Sequence, residues 1–380
     1  MAFRGGRSFL MKIAVIAGEK SGDNYGAILV DSIRKIKPDV YVIGTGGEGI
    51  RKRADLFIDC PYGKMGFSGV LSRLHLFYRA FKEVKETIER ESPSFVVFID
   101  NPGLNLKLAD ALGKKHTCFY YIPPKVWAHN YKRIRIIKRS IRGVITIFPF
   151  ERAIYQKEGI PAFWFGHPVI DLIKGEEVPF EEKGVIPVIG LLPGSREEEV
   201  RYLLPVFIRI LRNVSEKKKI TALLSASDKK IRRIEESILE KEGIDMNVFE
   251  GSPDRMIKGS SLLLAASGTV NLEVALYGKP LLVFYKTTYL NYILARLVVK
   301  LDVISPVNLI TGEKVIPEYI QHFPYSKIVK EIIDDILDKG LLYQREMEVF
   351  ARIKEMIGSG SVSEKVAEFL IKEERKLQEC

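Results

Sequence analysis

The 380-residue chain carries 59 Lys and Arg against 48 Asp and Glu, a formal net charge of +11, and 46% of its residues are apolar. That is enough chain for two domains of roughly 150–200 residues, and no uninterrupted apolar run approaches the ~20 residues of a spanning helix, which excludes an integral helical membrane protein. Cys60, Cys118 and Cys380 lie far apart without CxxC spacing, so neither a disulfide framework nor a zinc site is suggested, and a reducing cytoplasm fits best. The excess of cations points to an anionic partner: nucleic acid, a membrane surface or a phosphorylated substrate.

Residues 1–10 are basic but too short and too poor in apolar residues for a secretory signal; a disordered extension is expected, with the fold beginning at Met11. Residues 12–17 form an apolar run, followed by the loop Gly18-Glu19-Lys20-Ser21-Gly22-Asp23 and a helical stripe of Ile28, Leu29, Ile33 and Ile36. With a further strand at 40–44, this order predicts a parallel sheet of the doubly wound type. The loop is glycine-rich without being a G-x-G-x-x-G fingerprint, so NAD or FAD is not inferred. Between 65 and 84, Phe67, Val70, Leu71, Leu74, Phe77, Tyr78 and Phe81 share one stripe among basic residues. That pattern fits a core helix, or a helix that touches acyl chains at a membrane surface.

The apolar run 95–99 reads as a strand buried on both faces, and it delivers Asp100-Asn101-Pro102 to its carboxyl end, where ligands bind in open α/β sheets. Asp100 is a candidate general base or a helix cap; because Asn101 can cap with Pro102 at the first helical position, Asp100 is left for chemistry. After a strand at 117–122, Lys132, Arg133, Arg135, Lys138, Arg139 and Arg142 follow without an acidic neighbour in sequence, and Ile134, Ile137 and Ile141 supply a buried edge. A helix with one cationic face is predicted, either solvated or turned toward an anionic partner; the aromatic platforms of nucleic-acid binders are not evident. A strand at 144–148 and a short helix lead to Gly166-His167-Pro168, in which His167 is a substrate contact or part of a turn.

The polar stretch 174–184 is read as an interdomain linker, after which the α/β rhythm restarts. A strand at 188–192 ends in Pro193-Gly194-Ser195-Arg196, and Ser195 with Glu198 has capping-box spacing for a helix whose apolar face is Val200, Leu203, Leu204, Phe207, Ile208 and Leu211. The loop is either a phosphate seat, built from bare N–H groups and the Arg196 guanidinium, or a capped helix with a solvated arginine. Another strand ends in Ala266-Ser267-Gly268-Thr269 and starts a helix containing Glu273. Small residues there would let a diphosphate approach, and Glu273, on the same face as Thr269, would accept hydrogen bonds from a ribose diol; the alternative is an ordinary helix start with a first-turn acid.

Seven strings, in order, resemble the hallmarks of the lipid-A-disaccharide synthase family. They are Ala17-Gly18-Glu19-Lys20-Ser21-Gly22-Asp23; Ile99-Asp100-Asn101-Pro102 with Asn105-Leu106; Tyr121-Ile122 leading to Val126-Trp127-Ala128; and Phe165-Gly166-His167-Pro168. Further on come Leu191-Leu192-Pro193-Gly194-Ser195-Arg196 with Glu199, Ala266-Ser267-Gly268-Thr269 with Leu272-Glu273, and residues 315–321. Gly103-Leu104 stands where the family commonly has Asp-Phe, and Val307-Asn308 where Pro-Asn is usual.

The resemblance implies a GT-B glycosyltransferase with two Rossmann-like, doubly wound parallel-sheet domains facing a cleft. The expected plan is an acceptor-side domain over 11–173, a linker over 174–186, a UDP-sugar domain over 187–350, and a helix over 351–380 returning to the first half. The implied reaction transfers the sugar of UDP-2,3-diacylglucosamine to 2,3-diacylglucosamine 1-phosphate at the cytoplasmic face of the inner membrane. Carried onto this chain, Asp100 is the base; Ser195, Arg196, Ser267, Gly268, Thr269 and Glu273 hold the nucleotide. Gly18, Glu19, Ser21, Gly22, Asp23, Asn105, His167, Asn308 and Gln321 are further donor or acceptor contacts. Phe67, Val70, Leu71, Leu74 and Phe77 meet acyl chains, beside an anionic membrane surface. No Asp-x-Asp pair occurs, so no metal or other cofactor is expected. A homodimer is left open, and nucleic acid is not expected as a partner. The competing readings are another GT-B enzyme acting on UDP-N-acetylglucosamine, either an epimerase or a peptidoglycan-type transferase, and a basic Rossmann-like nucleic-acid binder.

Overall fold

Strands that read as unbroken apolar runs must be covered on both faces, and this chain solves that requirement twice with parallel sheets. The computed structural model describes residues 11–18, 20–59, 70–128, 130–173, 186–250, 252–298 and 302–379, with the backbone alone at 70–76, 294–298 and 378. It divides into two compact units, Met1–Asp171 with Ile357–Cys380, and Leu172–Met356.

The first unit runs β1 (Lys12–Ala17), α1 (Lys20–Ile36), β2 (Tyr41–Thr45), α2 (Glu48–Arg51), β3 (Leu56–Phe57), α3 (Val70–Glu91), β4 (Phe95–Ile99) and α4 (Pro102–Leu112). It continues with β5 (Cys118–Tyr121), α5 (Ile134–Ser140), β6 (Gly143–Thr146), α6 (Pro149–Lys157) and β7 (Ala162–Trp164). The strands pair in parallel in the order β3-β2-β1-β4-β5-β6-β7. The chain therefore reverses direction across the sheet between β1 and β4, whose register from Ile13↔Phe95 to Ala17↔Ile99 brings their carboxyl ends level.

The second unit runs β8 (Val188–Leu192), α7 (Glu197–Ser215), β9 (Thr221–Ala226), α8 (Lys229–Glu242), β10 (Val248–Glu250), α9 (Asp254–Gly259), β11 (Leu262–Ala266) and α10 (Val270–Leu276). There follow β12 (Leu281–Tyr285), α11 (Tyr289–Val298), α12 (Pro306–Thr311), β13 (Glu318–Ile320), α13 (Tyr325–Lys330), a π-helical stretch Glu331–Leu337, and α14 (Leu341–Met356). Its parallel order β10-β9-β8-β11-β12-β13 reverses between β8 and β11. The predicted face of α7, from Val200 to Leu211, is buried in this unit's core.

The last helix, α15 (Val362–Gln378), belongs to the first unit. Asp171 accepts the N–H groups of Val362 (3.0 Å) and Ser363 (2.7 Å), and the Phe369 ring lies 4.3 Å from that of Phe163. Gly166, at φ 121°, is where the chain passes closest: a Cβ there would come within 2.8 Å of Val362 Cγ2 and 2.9 Å of the Ile357 carbonyl oxygen. No helix among the described residues is long and apolar enough to cross a membrane.

The cationic segment differs from its sequence reading. A 3-10 turn, Tyr131–Arg133, precedes α5, and two cations without acidic neighbours in sequence find them in space. Arg139 grips Asp110 of α4 through two 2.7 Å hydrogen bonds, and Arg142 lies 3.6 Å from Glu373 of α15. Lys132, Arg135 and Lys138 remain exposed.

Glu235 breaks the apolar logic of α8. It sits between Ile231 and Leu239 on the buried stripe, fully inaccessible, and among the described residues neither carboxyl oxygen has a hydrogen-bond partner. Desolvation, reinforced by Asp228 and Glu236, pushes its pKa up to about 8. Between the unfolded value and about 8, the folded chain keeps a proton that the unfolded chain has released, so this contribution to stability is present at low pH and lost as pH rises. Urea unfolding at about pH 5 and about pH 8 should show Glu235→Gln shedding up to about 1.4 kcal/mol per pH unit of this loss relative to the parent. Equal pH slopes for the two proteins would contradict it.

Candidate active site

In a doubly wound sheet, the loops at the carboxyl ends of the two strands flanking the reversal part from each other and leave a crevice. In the first unit these strands are β1, which is followed by Gly18, and β4, which is followed by Asp100. Both Asp100 (φ 50°) and Asn101 (φ 45°) adopt the left-handed conformation, which Asp and Asn tolerate better than most residues. Ile122, at the end of the neighbouring β5, does so too (φ 59°), a costly state for a β-branched residue.

The surrounding bonds fix this backbone. The Asp100 N–H donates to the Tyr121 carbonyl (3.1 Å), and the Asp100 carbonyl accepts from Asn105 Nδ2 (2.8 Å) and the Tyr120 hydroxyl (2.7 Å). Burial, with the Asp100 charge second, raises the Tyr120 pKa well above its ordinary value, so the hydroxyl stays a donor. Gly18 is required by the same packing: a Cβ there would fall 1.6 Å from Asn101 Nδ2.

Several of the residues singled out in the sequence make hydrogen bonds or packing contacts within the protein. Asn101 stands at the cap position of α4 with Pro102 at its first turn, but its side chain makes no capping bond. Asn105 is fully buried; besides Asp100 it donates to the Ile99 (3.1 Å) and Ile16 (3.4 Å) carbonyls. Asp23 is buried and accepts the N–H groups of Gly47, Gly49 and Ile50 at 2.8–2.9 Å, which ties α1 to the start of α2. His167 is buried between Tyr25 and Phe148, and its Nδ1 accepts the Val169 N–H (3.1 Å). Desolvation, aided by Lys125, drives its pKa down to about 3; it is a neutral turn residue, and its own N–H donates to Ile357 where the chain re-enters this unit. Ser21 is half-buried on the first turn of α1, and Gly22 packs beside Ile99. Glu19 and Phe67 lie outside the described residues, as do the side chains of Val70, Leu71 and Leu74. Phe77 is half-buried against the core, under the Lys107 ammonium (4.5 Å).

In the second unit the corresponding strands are β8 and β11. Here the expected cap shifts by one residue: Arg196, not Ser195, precedes α7, and Glu199, not Glu198, is its partner. Glu199 accepts from the Ser195 (3.2 Å) and Arg196 (3.3 Å) N–H groups and pairs with the Arg196 guanidinium (2.8 Å). The N–H groups offered to a phosphate in the sequence reading are therefore engaged by the protein's own carboxylate, while Ser195 and Arg196 stay exposed.

At β11, Ser267 Oγ donates to the Ile304 carbonyl (2.8 Å), and the Gly268 N–H donates to Asn271 Oδ1 (2.8 Å). Among the described residues, apart from the glycine and its chain neighbours, no atom lies within 4 Å of the position a Gly268 Cβ would take, so these residues leave the loop open above the glycine. Thr269 precedes α10, and on that helix desolvation, with Asp254 second, pushes Glu273 up to about 7. Asn308 is buried and holds the 315–318 segment, donating to the Ile316 carbonyl (2.9 Å) and Glu318 (2.7 Å) and accepting from Val315 and Ile316. Gln321 clamps Thr287 at both its N–H (3.2 Å) and its carbonyl (3.0 Å). Among the described residues, no group of three or more His, Cys, Asp or Glu side chains is placed to hold a metal ion.

Sequence reasoning passed over Glu151. It is buried at the third position of α6, accepts from Ile147 (3.3 Å) and Phe148 (3.2 Å), and orients Trp127 through its indole N–H (3.0 Å). Burial raises its pKa, partly opposed by Trp127. The only signal was a Glu three residues after a cap position, and Phe148 in that position concealed it.

Known proteins agree with this architecture. A family model described as lipid-A-disaccharide synthetase matches residues 13–361. Lipid-A-disaccharide synthase of Nitrosococcus oceani is 33% identical over 364 residues, 92% of this chain and 93% of the relative. That of Geobacter sulfurreducens is 30% identical over 367 residues, covering 94% and 95%. Among solved structures, UDP-GlcNAc 2-epimerase of Methanocaldococcus jannaschii in complex with UDP-GlcNAc and UDP has a TM-score of 0.65 at 15% identity, covering 95% of this chain and 100% of that one. The Neisseria meningitidis UDP-GlcNAc 2-epimerase bound to UDP-GlcNAc has 0.61 at 16%, with coverage of 95% and 100%. These structures share the GT-B fold of two parallel-sheet α/β domains. The match along nearly the whole length, with reversal-point loops built from the matching strings, means that the chain belongs to the lipid-A-disaccharide synthetase family, glycosyltransferases of lipid A biosynthesis.

Proposed function

We propose that this enzyme transfers 2,3-diacylglucosamine from UDP-2,3-diacylglucosamine to the 6-hydroxyl of 2,3-diacylglucosamine 1-phosphate, with inversion, giving the β-1,6-linked disaccharide 1-phosphate and UDP. The family match over residues 13–361 carries this reading. It is supported by a carboxylate on a fixed backbone at one reversal point and small residues with an acid and a cation at the other.

An inverting transfer needs a base for the acceptor hydroxyl and stabilisation of the departing diphosphate. Asp100 is the base. Its three backbone hydrogen bonds hold the carboxylate's root against rotation, so little reorganisation is left for the reaction. Arg196 and the Ser267-Gly268-Thr269 loop hold the diphosphate. Since Glu199 already occupies the Ser195 and Arg196 N–H groups, the contribution at that loop comes from the guanidinium, which exchanges part of its Glu199 pairing for phosphate. Glu273 accepts from the ribose hydroxyls. Gly18, Glu19, Ser21 and Gly22 are acceptor contacts; Asp23, Asn105 and His167 position the loops of the first unit, and Asn308 and Gln321 those of the second. Moving an acyl chain into water costs about 0.8 kcal/mol per CH₂, so the enzyme works against the cytoplasmic face of the inner membrane, with the 65–84 segment in contact with lipid and a homodimer as a compatible assembly.

Two experiments test this. With both diacylated substrates in mild detergent, UDP release and disaccharide mass should appear for the parent and fall about 10²–10⁴-fold for Asp100→Asn, which tolerates the same backbone conformation. Near-parental turnover by the variant would remove Asp100 as base, and turnover of UDP-N-acetylglucosamine alone by the parent would favour an epimerase. If ionised Glu273 binds the ribose, affinity for a UDP-sugar should rise as pH passes upward through about 7. The gain from about pH 6 to about pH 8 should approach tenfold, and Glu273→Gln should bind weakly with a flat profile. A parental profile that falls with pH would refute that role.

A further inference from the structure

We infer that Glu151 is a positioning residue of the acceptor side: through the indole N–H of Trp127 it fixes an aromatic wall near the base, on which the diacylated sugar phosphate packs. The inference rests on the acceptor proposed above. Glu151 is 1% exposed at the third position of α6, where capping the helix requires only the N–H groups of Ile147 and Phe148. Its other oxygen accepts from Trp127 (3.0 Å), 24 residues earlier on the loop that leaves β5. One turn further along α6, the Tyr155 hydroxyl donates to the Pro124 carbonyl of that same loop. Burying a carboxyl is costly, and this one holds two loops at once.

The loop so held begins beside Asp100. Tyr121, the last residue of β5, pairs in register with Ile99, and its carbonyl accepts the Asp100 N–H (3.1 Å). The next residue, Ile122, is the one at φ 59°, with its N–H bonded to the Ile145 carbonyl (3.0 Å). Such a conformation persists only where the surroundings over-determine it, and α6 supplies two of the fixings, at Pro124 and Trp127. Trp127 lies against the start of α6, which follows β6, and β6 is two strands from β4, roughly 10 Å across the sheet. A hexose with its 6-hydroxyl at Asp100 spans that distance with the roots of its acyl chains.

The chemistry of the ring narrows what it meets. Its N–H, the one polar group of an indole, is engaged by Glu151, so the half-buried ring offers carbon alone. Phe150, 37% exposed, meets it edge to face at 5.0 Å and stacks at 5.7 Å on the buried ring of Phe148. The Lys125 ammonium lies 5.6 Å from the Phe148 centroid. An apolar wall with a cation at its edge, held rigid in the same unit as the base, suits an acylated sugar that also carries a phosphate.

Steady-state rates of the full chain in mild detergent, with each substrate varied in turn, test this. Trp127→Ala should raise the KM for 2,3-diacylglucosamine 1-phosphate on the order of tenfold, with the donor KM and kcat changing by less than about twofold. Glu151→Gln keeps the ring but loses one acceptor oxygen; it should raise the acceptor KM several-fold in the parent and add nothing in the Trp127→Ala background, because it acts through that ring. Multiplying effects of the two changes would make Glu151 a structural cap only and overturn the positioning role. So would an unchanged acceptor KM, a rise in the donor KM instead, or a fall in kcat alone. Trp127 also reports directly: with UDP present, adding the acceptor should change the tryptophan emission of the parent but not that of Trp127→Phe, which retains Trp164. No change in the parent would overturn the contact even where Glu151→Gln fails to fold. A parent that makes no disaccharide from the two diacylated substrates would remove the proposed reaction and this inference with it, whereas disaccharide formation with a parental acceptor KM in both variants would remove this inference alone.

Discussion

The Asn105 amide holds the first unit's reversal point together. Where neighbouring parallel strands send their loops in opposite directions, backbone carbonyls are left without strand partners at the carboxyl edge, and a buried orphan carbonyl is costly. One side-chain nitrogen reaches the carbonyls of Ile16 on β1, Ile99 on β4 and Asp100 beyond it. Tyr120 then takes the other side of the Asp100 carbonyl. The crevice can exist because these groups satisfy its floor from below, and the left-handed pair Asp100-Asn101 is tolerable because it is bonded on both sides.

A second regularity governs the loops. Five of them are pinned by a carboxylate that accepts two or more main-chain N–H groups. Asp23 takes three from 47–50, Glu151 takes Ile147 and Phe148, Asp171 takes Val362 and Ser363, Glu199 takes Ser195 and Arg196, and Glu318 takes Ile304 and Ser305. Charged acceptors make stronger hydrogen bonds than neutral ones and hold two donors at once, which suits loops too short to satisfy themselves. The cost is desolvation, visible in the raised pKa of Glu151.

This explains which parts were legible in the sequence. Long apolar runs such as 95–99 and long stripes such as 200–211 declare their structure, because burial on one or both faces dictates residue type over many positions. The two-residue β3 and the three-residue β7 and β13 offer too few positions for a period to show. The family strings located the reversal-point loops, but a motif does not say whether a polar residue faces a ligand or its own backbone. Asn105, Asp23, His167, Asn308 and Gln321 all make hydrogen bonds to the backbone, and composition does not reveal that use. The cap at α7 was read one residue early because Ser195 satisfies the usual preference, whereas the structure uses Glu199 with an arginine at the cap position.

The same inward use of acids bears on the +11 charge. A carboxylate held against N–H groups is turned into the loop it pins, while lysines and arginines keep their heads in water. Lys132, Arg135 and Lys138 are exposed, and even Arg139, paired with Asp110, is more than half exposed. The net charge stays at +11, and the charges that stand in water at these three positions are cations. A net positive charge of this size favours the approach of anions in general, whatever holds the loops.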